Sequence, residues 1–93
     1  MGRVAVLVVS HSAQLAAGLV ELAGQMAADV RIAGVGGTED GRIGTSFDGV
    51  EAALTGLLAE DGVDGVVLVA DLGSAAMTID SVLDAHALAT VRA

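Results

Sequence analysis

The chain has 93 residues, 54% of them hydrophobic, with one aromatic and no proline, so residues 1–93 read as a single domain whose core is built from aliphatic side chains. Ala (18) and Gly (13) make many apolar positions small, which keeps the buried area per residue modest and favours support from a partner subunit. With no cysteine, no lysine and four arginines against twelve carboxylates (net charge -8), the composition excludes a disulfide scaffold, thiolate metal sites and a P-loop, and argues against binding nucleic acid or an anionic membrane surface.

Val4-Ala5-Val6-Leu7-Val8-Val9 is a short, continuous, β-branched run that suits a parallel strand covered on both faces. It follows Met1-Gly2-Arg3 and so slightly resembles a signal peptide, but Ser10-His11-Ser12 ends it, and it is read as a first strand. No run approaches the eighteen or so uninterrupted apolar residues of a spanning helix. Leu15, Leu19, Leu22 and Met26 then recur at helical spacing and predict an amphipathic helix of about four turns, capped by Ser10 or Ser12 and ending near Ala28-Asp29.

Val30 to Val35 predicts a second strand, broken by Gly36-Gly37, and residues 36 to 46 predict a polar, glycine-rich loop. A second helix is announced by Thr45 or Ser46 as its cap, by Asp48 in its first turn, and by Phe47, Val50, Leu54, Leu57 and Leu58 on one face. Glu60-Asp61-Gly62 ends it. Gly65 to Ala70 repeats the buried-strand pattern, Asp71-Leu72-Gly73-Ser74 leads into a third helix over about Ser74 to Ala89, and Val91-Arg92-Ala93 begins a fourth strand. Strands alternating with helices over short connections predict an α/β fold of three layers, α/β/α, with a mainly parallel sheet and right-handed crossovers. In such sheets, sites form beyond the carboxyl ends of the strands.

The three strand exits, Ser10-His11-Ser12, Gly36-Gly37-Thr38 and Asp71-Leu72-Gly73-Ser74, therefore converge on one edge of the sheet. His11 precedes a helix, where amide N–H groups and the helix dipole favour an anion such as a phosphoryl group. If strands one and three are neighbours, Asp71 can accept a hydrogen bond from Nδ1 of His11, which leaves Nε2 as the nucleophile. Gly73 and Ser74 offer close backbone approach and a hydroxyl at a helix start, although Ser74 also suits an ordinary cap. Ser12, Gly37, Thr38 and Thr45 complete the expected phosphate-binding wall, with Thr38 or Thr45 donating and Arg42 supplying the nearby positive charge.

Rival chemistries fit less well. The glycine-rich loop does not match the GxGxxG dinucleotide fingerprint. Ser10, His11 and Asp71 do not make a hydrolase triad, because adjacent residues leaving a strand diverge and no GxSxG elbow is present. No metal site is expected, since neither histidine has a second ligand at HExxH-type spacing. A phospho-receiver module would need an acidic pair after strand one and a later lysine. His86 is read as a packed histidine, and Met26 and Met77 as core filling.

Val8-Val9-Ser10-His11-Ser12, Gly36-Gly37-Thr38 with Ile43-Gly44-Thr45, and Asp71-Leu72-Gly73-Ser74-Ala75 together resemble the phosphotransferase subunit of the PTS-dependent dihydroxyacetone kinase, a relative of mannose-family enzyme IIA domains. The resemblance runs through essentially the whole chain. It implies a cytoplasmic phosphotransferase in which His11 takes a phosphoryl group from the phosphocarrier protein HPr and passes it to ADP held in a partner kinase subunit, with Asp71 orienting the histidine. It also implies a homodimer and no cofactor of the chain's own. Domains of this kind continue through a further strand and helix that the 93 residues lack. A mannose-type sugar PTS component and a non-catalytic regulatory or oligomerisation module of the same fold are the alternatives.

Overall fold

The structure, a computed structural model, describes residues 3–27, 29–38, 40–71, 73–86 and 91–92. The β-branched run becomes the central strand of a parallel sheet. β1 (Arg3–Ser10) is flanked by β2 (Ile32–Gly36) and β3 (Val63–Ala70), and β4 (Val91–Arg92) adds two residues beyond β3, in the order β2-β1-β3-β4. Between them run α1 (Ala13–Met26), α2 (Phe47–Leu58) and α3 (Gly73–His86). β1 pairs with both neighbours in parallel, Ser10 standing opposite Gly36 and Val9 opposite both Val35 and Ala70. The exits of β1, β2 and β3 are therefore brought side by side, as the order of elements predicts.

Boundaries follow local chemistry. Ser12, extended at φ -123, caps α1 by accepting from the Leu15 amide, and Ser46 caps α2 by accepting from that of Gly49, which decides both open choices of cap. The first helix stops at Met26, earlier than expected, and β2 begins two residues late at Ile32, just after Arg31, whose side chain forms a forked ion pair with Glu60. β3 starts at Val63, before the run that announced it. α3 reaches His86; the remainder of its expected span lies outside the described residues, as do the side chains of Ser74 and His86.

The core fills one face of the sheet. Ala5, Leu7 and Val9 of β1 and Val66 and Leu68 of β3 pack with Val50, Leu54 and Leu57 of α2 and Ile79 and Val82 of α3. Each fully buried Leu, Ile or Val contributes on the order of 1.5–3 kcal/mol of transfer free energy, so this face carries most of the stability. Phe47, expected within the apolar face of α2, is more than one-third exposed.

The other face departs from expectation. α1 packs against β1 and β2, and among the described residues it makes no comparable contact with β3. It turns Ala16 inward, not the leucine stripe: Leu15, Leu19, Leu22 and Met26 are all exposed, Met26 at 83%. The reason lies in Gly34. An added Cβ there would stand 3.1 Å from the Ala16 carbonyl oxygen, so helix and strand meet through a seam of small residues. The leucines sit roughly 60–120° round the helix from Ala16, and Val69 of β3 is also exposed. Met77, likewise expected as core filling, is 70% exposed on α3. None of the helices within the described residues is long and apolar enough to cross a membrane.

Candidate functional site

Because β1 and β3 are adjacent and in parallel register, the residues that follow each strand face one another. The Asp71 amide donates to the Val9 carbonyl at 3.3 Å, extending the β1–β3 ladder to the edge of the sheet. There the Asp71 carboxylate gathers three donors. Nδ1 of His11 lies 2.9 Å from Oδ1, while the His11 backbone N–H and the Ser10 hydroxyl reach Oδ2 at 3.1 and 2.8 Å. The His11 and Asp71 side chains are 14% and 21% exposed, accessible from solvent yet held on most sides.

Burial alone would raise the Asp71 pKa, but the hydrogen bonds from His11 Nδ1–H, Ser10 and the His11 amide outweigh it and hold the carboxyl at about 2. At neutral pH Asp71 is therefore an anion, and an ionised carboxylate can only accept. The proton between the two groups accordingly sits on Nδ1 of His11. The order of elements thus brings His11 and Asp71 within hydrogen-bond distance at the sheet edge.

Ser10, which the sequence offers only as a possible cap of α1 or as a member of a rejected triad, belongs to this network. Its side chain is fully buried, and its hydroxyl does two things at once, donating to Asp71 and accepting from the Ser12 amide at 3.1 Å. Nothing in the local pattern marks it, since a serine ending a strand reads first as a cap.

Among the other expected wall residues, the hydroxyls of Ser12, Thr38 and Thr45 are committed elsewhere. Ser12 Oγ caps α1. Gly37 is buried with φ 77, a conformation glycine adopts without strain, and its turn starts the loop from 37 to 46. Thr38 Oγ1 donates to Asp40 and accepts from the Arg42 amide, folding the loop on itself. The Arg42 side chain, 83% exposed, pairs with Asp40. Thr45 exchanges a hydrogen bond with Thr78 of α3 at 2.9 Å. The loop nonetheless closes on the site through its backbone: the Gly44 N–H donates to the His11 carbonyl at 2.8 Å. Gly73 opens α3, two residues past Asp71. No group of three His, Asp or Glu side chains among the described residues could hold a metal ion.

Residues 5–92 match the model of a family described as "PTS system fructose IIA component". The chain belongs to that PTS IIA family. Among curated relatives of this PTS IIA domain, it is 46% identical over 77 residues to the "PEP-dependent dihydroxyacetone kinase 1, phosphoryl donor subunit DhaM" of Listeria innocua serovar 6a. It is 40% identical over 77 residues to the "PTS-dependent dihydroxyacetone kinase, phosphotransferase subunit DhaM" of Lactococcus lactis subsp. lactis. Each match takes in 83% of this chain and 59% of the relative, so the chain spans about three-fifths of the length of either. The fold is also that of a crystal structure titled as an unknown function protein, EF1359, with TM-score 0.77 and 28% identity over 91% of this chain and 63% of that one.

Proposed function

We propose that this PTS IIA domain is a histidine phosphocarrier that takes a phosphoryl group from phosphorylated HPr onto Nε2 of His11 and delivers it to ADP bound in the nucleotide subunit of a dihydroxyacetone kinase. The observation that carries this reading is the bond from His11 Nδ1 to the ionised Asp71 at the strand exits, which suits Nε2 to act as the nucleophile. In the first transfer the Nε2 lone pair forms a bond to phosphorus as the donor's P–N bond breaks, and the ring proton stays on Nδ1. Asp71 stabilises the positive charge that the ring gains. In the second, an oxygen of the ADP β-phosphate attacks phosphorus and the Nε2–P bond returns its electron pair to the ring, forming ATP. Both steps ask the protein mainly for alignment and charge stabilisation.

Two further features support the reading. The names of the dihydroxyacetone kinase relatives describe a phosphoryl donor and a phosphotransferase subunit. Donor and acceptor proteins must also dock around His11, and Ile43, Phe47 and Met77, in the loop and the first turns of α2 and α3, present apolar surface on that side. The exposed leucine stripe of α1 supports a homodimer, because copies each carrying a net charge of -8 meet best through apolar surface. On this reading the protein works in the cytoplasm with HPr.

The experiment is incubation with enzyme I, HPr and labelled phosphoenolpyruvate. Wild type gains acid-labile phosphate and His11→Ala gains none; incorporation into His11→Ala at the wild-type level contradicts the assignment. A second reading, favoured by the family's description as a fructose IIA component, keeps the same chemistry but hands the group to a sugar-transport component. Presenting the phosphorylated protein with each acceptor separates the two, by which one discharges it.

A further inference from the structure

Apart from His11 and Asp71, the polar group most deeply built into the strand exits is Ser10, and its side chain is the one polar or charged side chain fully buried among the described residues. A buried hydroxyl is costly unless both its donor and acceptor capacity are used. Here both are. The hydroxyl donates to Asp71 Oδ2 at 2.8 Å and accepts from the Ser12 amide at 3.1 Å, a donor at the start of α1.

We infer that Ser10 is the positioning residue of the site: its hydroxyl fixes the rotation of the Asp71 carboxylate so that Oδ1 faces His11 Nδ1, and thereby selects the tautomer that places the lone pair on Nε2.

A carboxylate on a short side chain turns about its terminal torsion with little intrinsic preference. Two donors on Oδ2, from the consecutive residues Ser10 and His11, remove that freedom: the His11 amide belongs to the turn after β1, and Ser10 to the buried end of the strand itself. With Oδ2 anchored, Oδ1 has one direction left, toward the imidazole 2.9 Å away. The Ser12 amide sets the direction of the hydroxyl proton, because a hydroxyl that accepts from one side donates to the other. The start of α1 is thus connected to Asp71 through a single oxygen. Ser10 touches neither phosphorus nor Nε2, and acts through Asp71.

The role rests on the phosphocarrier reading for its catalytic meaning, but its test does not. Ser10→Ala, Ser10→Cys and Ser10→Thr are compared with wild type by 15N NMR of the His11 ring, by 13C titration of the Asp71 carboxyl, and by the rate of phosphorylation from phosphorylated HPr. Ser10→Cys keeps the volume with a weak donor, and covers the case in which Ser10→Ala does not fold. In the folded Ala or Cys variant, the Asp71 titration moves up from about 2, the Nδ1–H tautomer loses population, and phosphorylation slows roughly tenfold or more, the worth of one charge-assisted hydrogen bond. Ser10→Thr, which retains the hydroxyl, restores the tautomer and the titration. Unchanged tautomer and titration in a folded Ala or Cys variant overturn the role. Shifted NMR signatures in a protein that no phosphate donor labels leave the positioning role standing and overturn the phosphocarrier instead.

Discussion

Gly36, the last residue of β2, lies against the Ser12 carbonyl group so closely that an added Cβ would stand 2.4 Å from its oxygen and 2.7 Å from its carbon. Both contacts are backbone, at the residue that caps α1, so no flexible side chain can yield. Gly36→Ala is therefore expected to lower stability by about 1–3 kcal/mol, as overpacking does, and to lower the melting temperature by at least about 4 °C. Gly56→Ala is the opposite case. It lies exposed in α2 with nothing within 4 Å of the added Cβ, and alanine there should stabilise by about 0.5–1 kcal/mol. Thermal unfolding of the two variants checks both signs.

Asp71→Asn keeps the size of the side chain but replaces the anion by a neutral amide. The variant is expected to fold and to be phosphorylated about 10- to 100-fold more slowly, the range for losing a charged hydrogen-bond partner. Equal phosphorylation rates for the two proteins would contradict the role of Asp71.

The Asp71 carboxyl at about 2 also makes stability depend on pH. Its folded pKa lies below the value of about 3.9 for the unfolded chain, so the folded state prefers the anion. That contribution is fully present above about pH 5 and is lost as the pH falls toward 2. Melting curves of wild type and Asp71→Asn should accordingly draw together between pH 5 and pH 2. A constant gap over that window would show that the carboxylate network does not contribute to folding.

Leu19 lies in the middle of the exposed leucine stripe and is 40% exposed. Sedimentation velocity should find wild type as a dimer at tens of micromolar, and Leu19→Glu as a monomer with unchanged far-UV circular dichroism. A wild type that sediments as a monomer contradicts dimerisation through this stripe.

The alternation of β-branched runs with helical spacings made the α/β architecture legible, and with it the meeting of His11 and Asp71, because adjacent parallel strands leave little choice in where their exits stand. Three things were not legible. Ser10 looked like any strand-ending serine, since its function depends on a carboxylate 61 positions away. The spacing of Leu15, Leu19, Leu22 and Met26 identified α1 correctly but pointed to the wrong buried face, because helical periodicity records where apolar groups lie and not which of them this chain covers. The small residues facing Gly34 decided the contact by allowing a closer approach. The threonines of the loop were read as donors to a ligand, whereas Thr38 is used in holding the loop together and Thr45 in joining it to α3.

The central position of β1 also bears on how the molecule comes together. His11 and Asp71 are 60 residues apart, and what joins them is the pairing of β1 with β3 across an intervening strand and two helices. Such long-range parallel pairings form slowly, because the loop-closure entropy must be overcome before any contact is gained. The site is completed in the same event that closes the sheet. A chain with β3 undocked has an imidazole without its carboxylate, so recovery of reactivity at His11 during refolding is a clock for formation of the native topology.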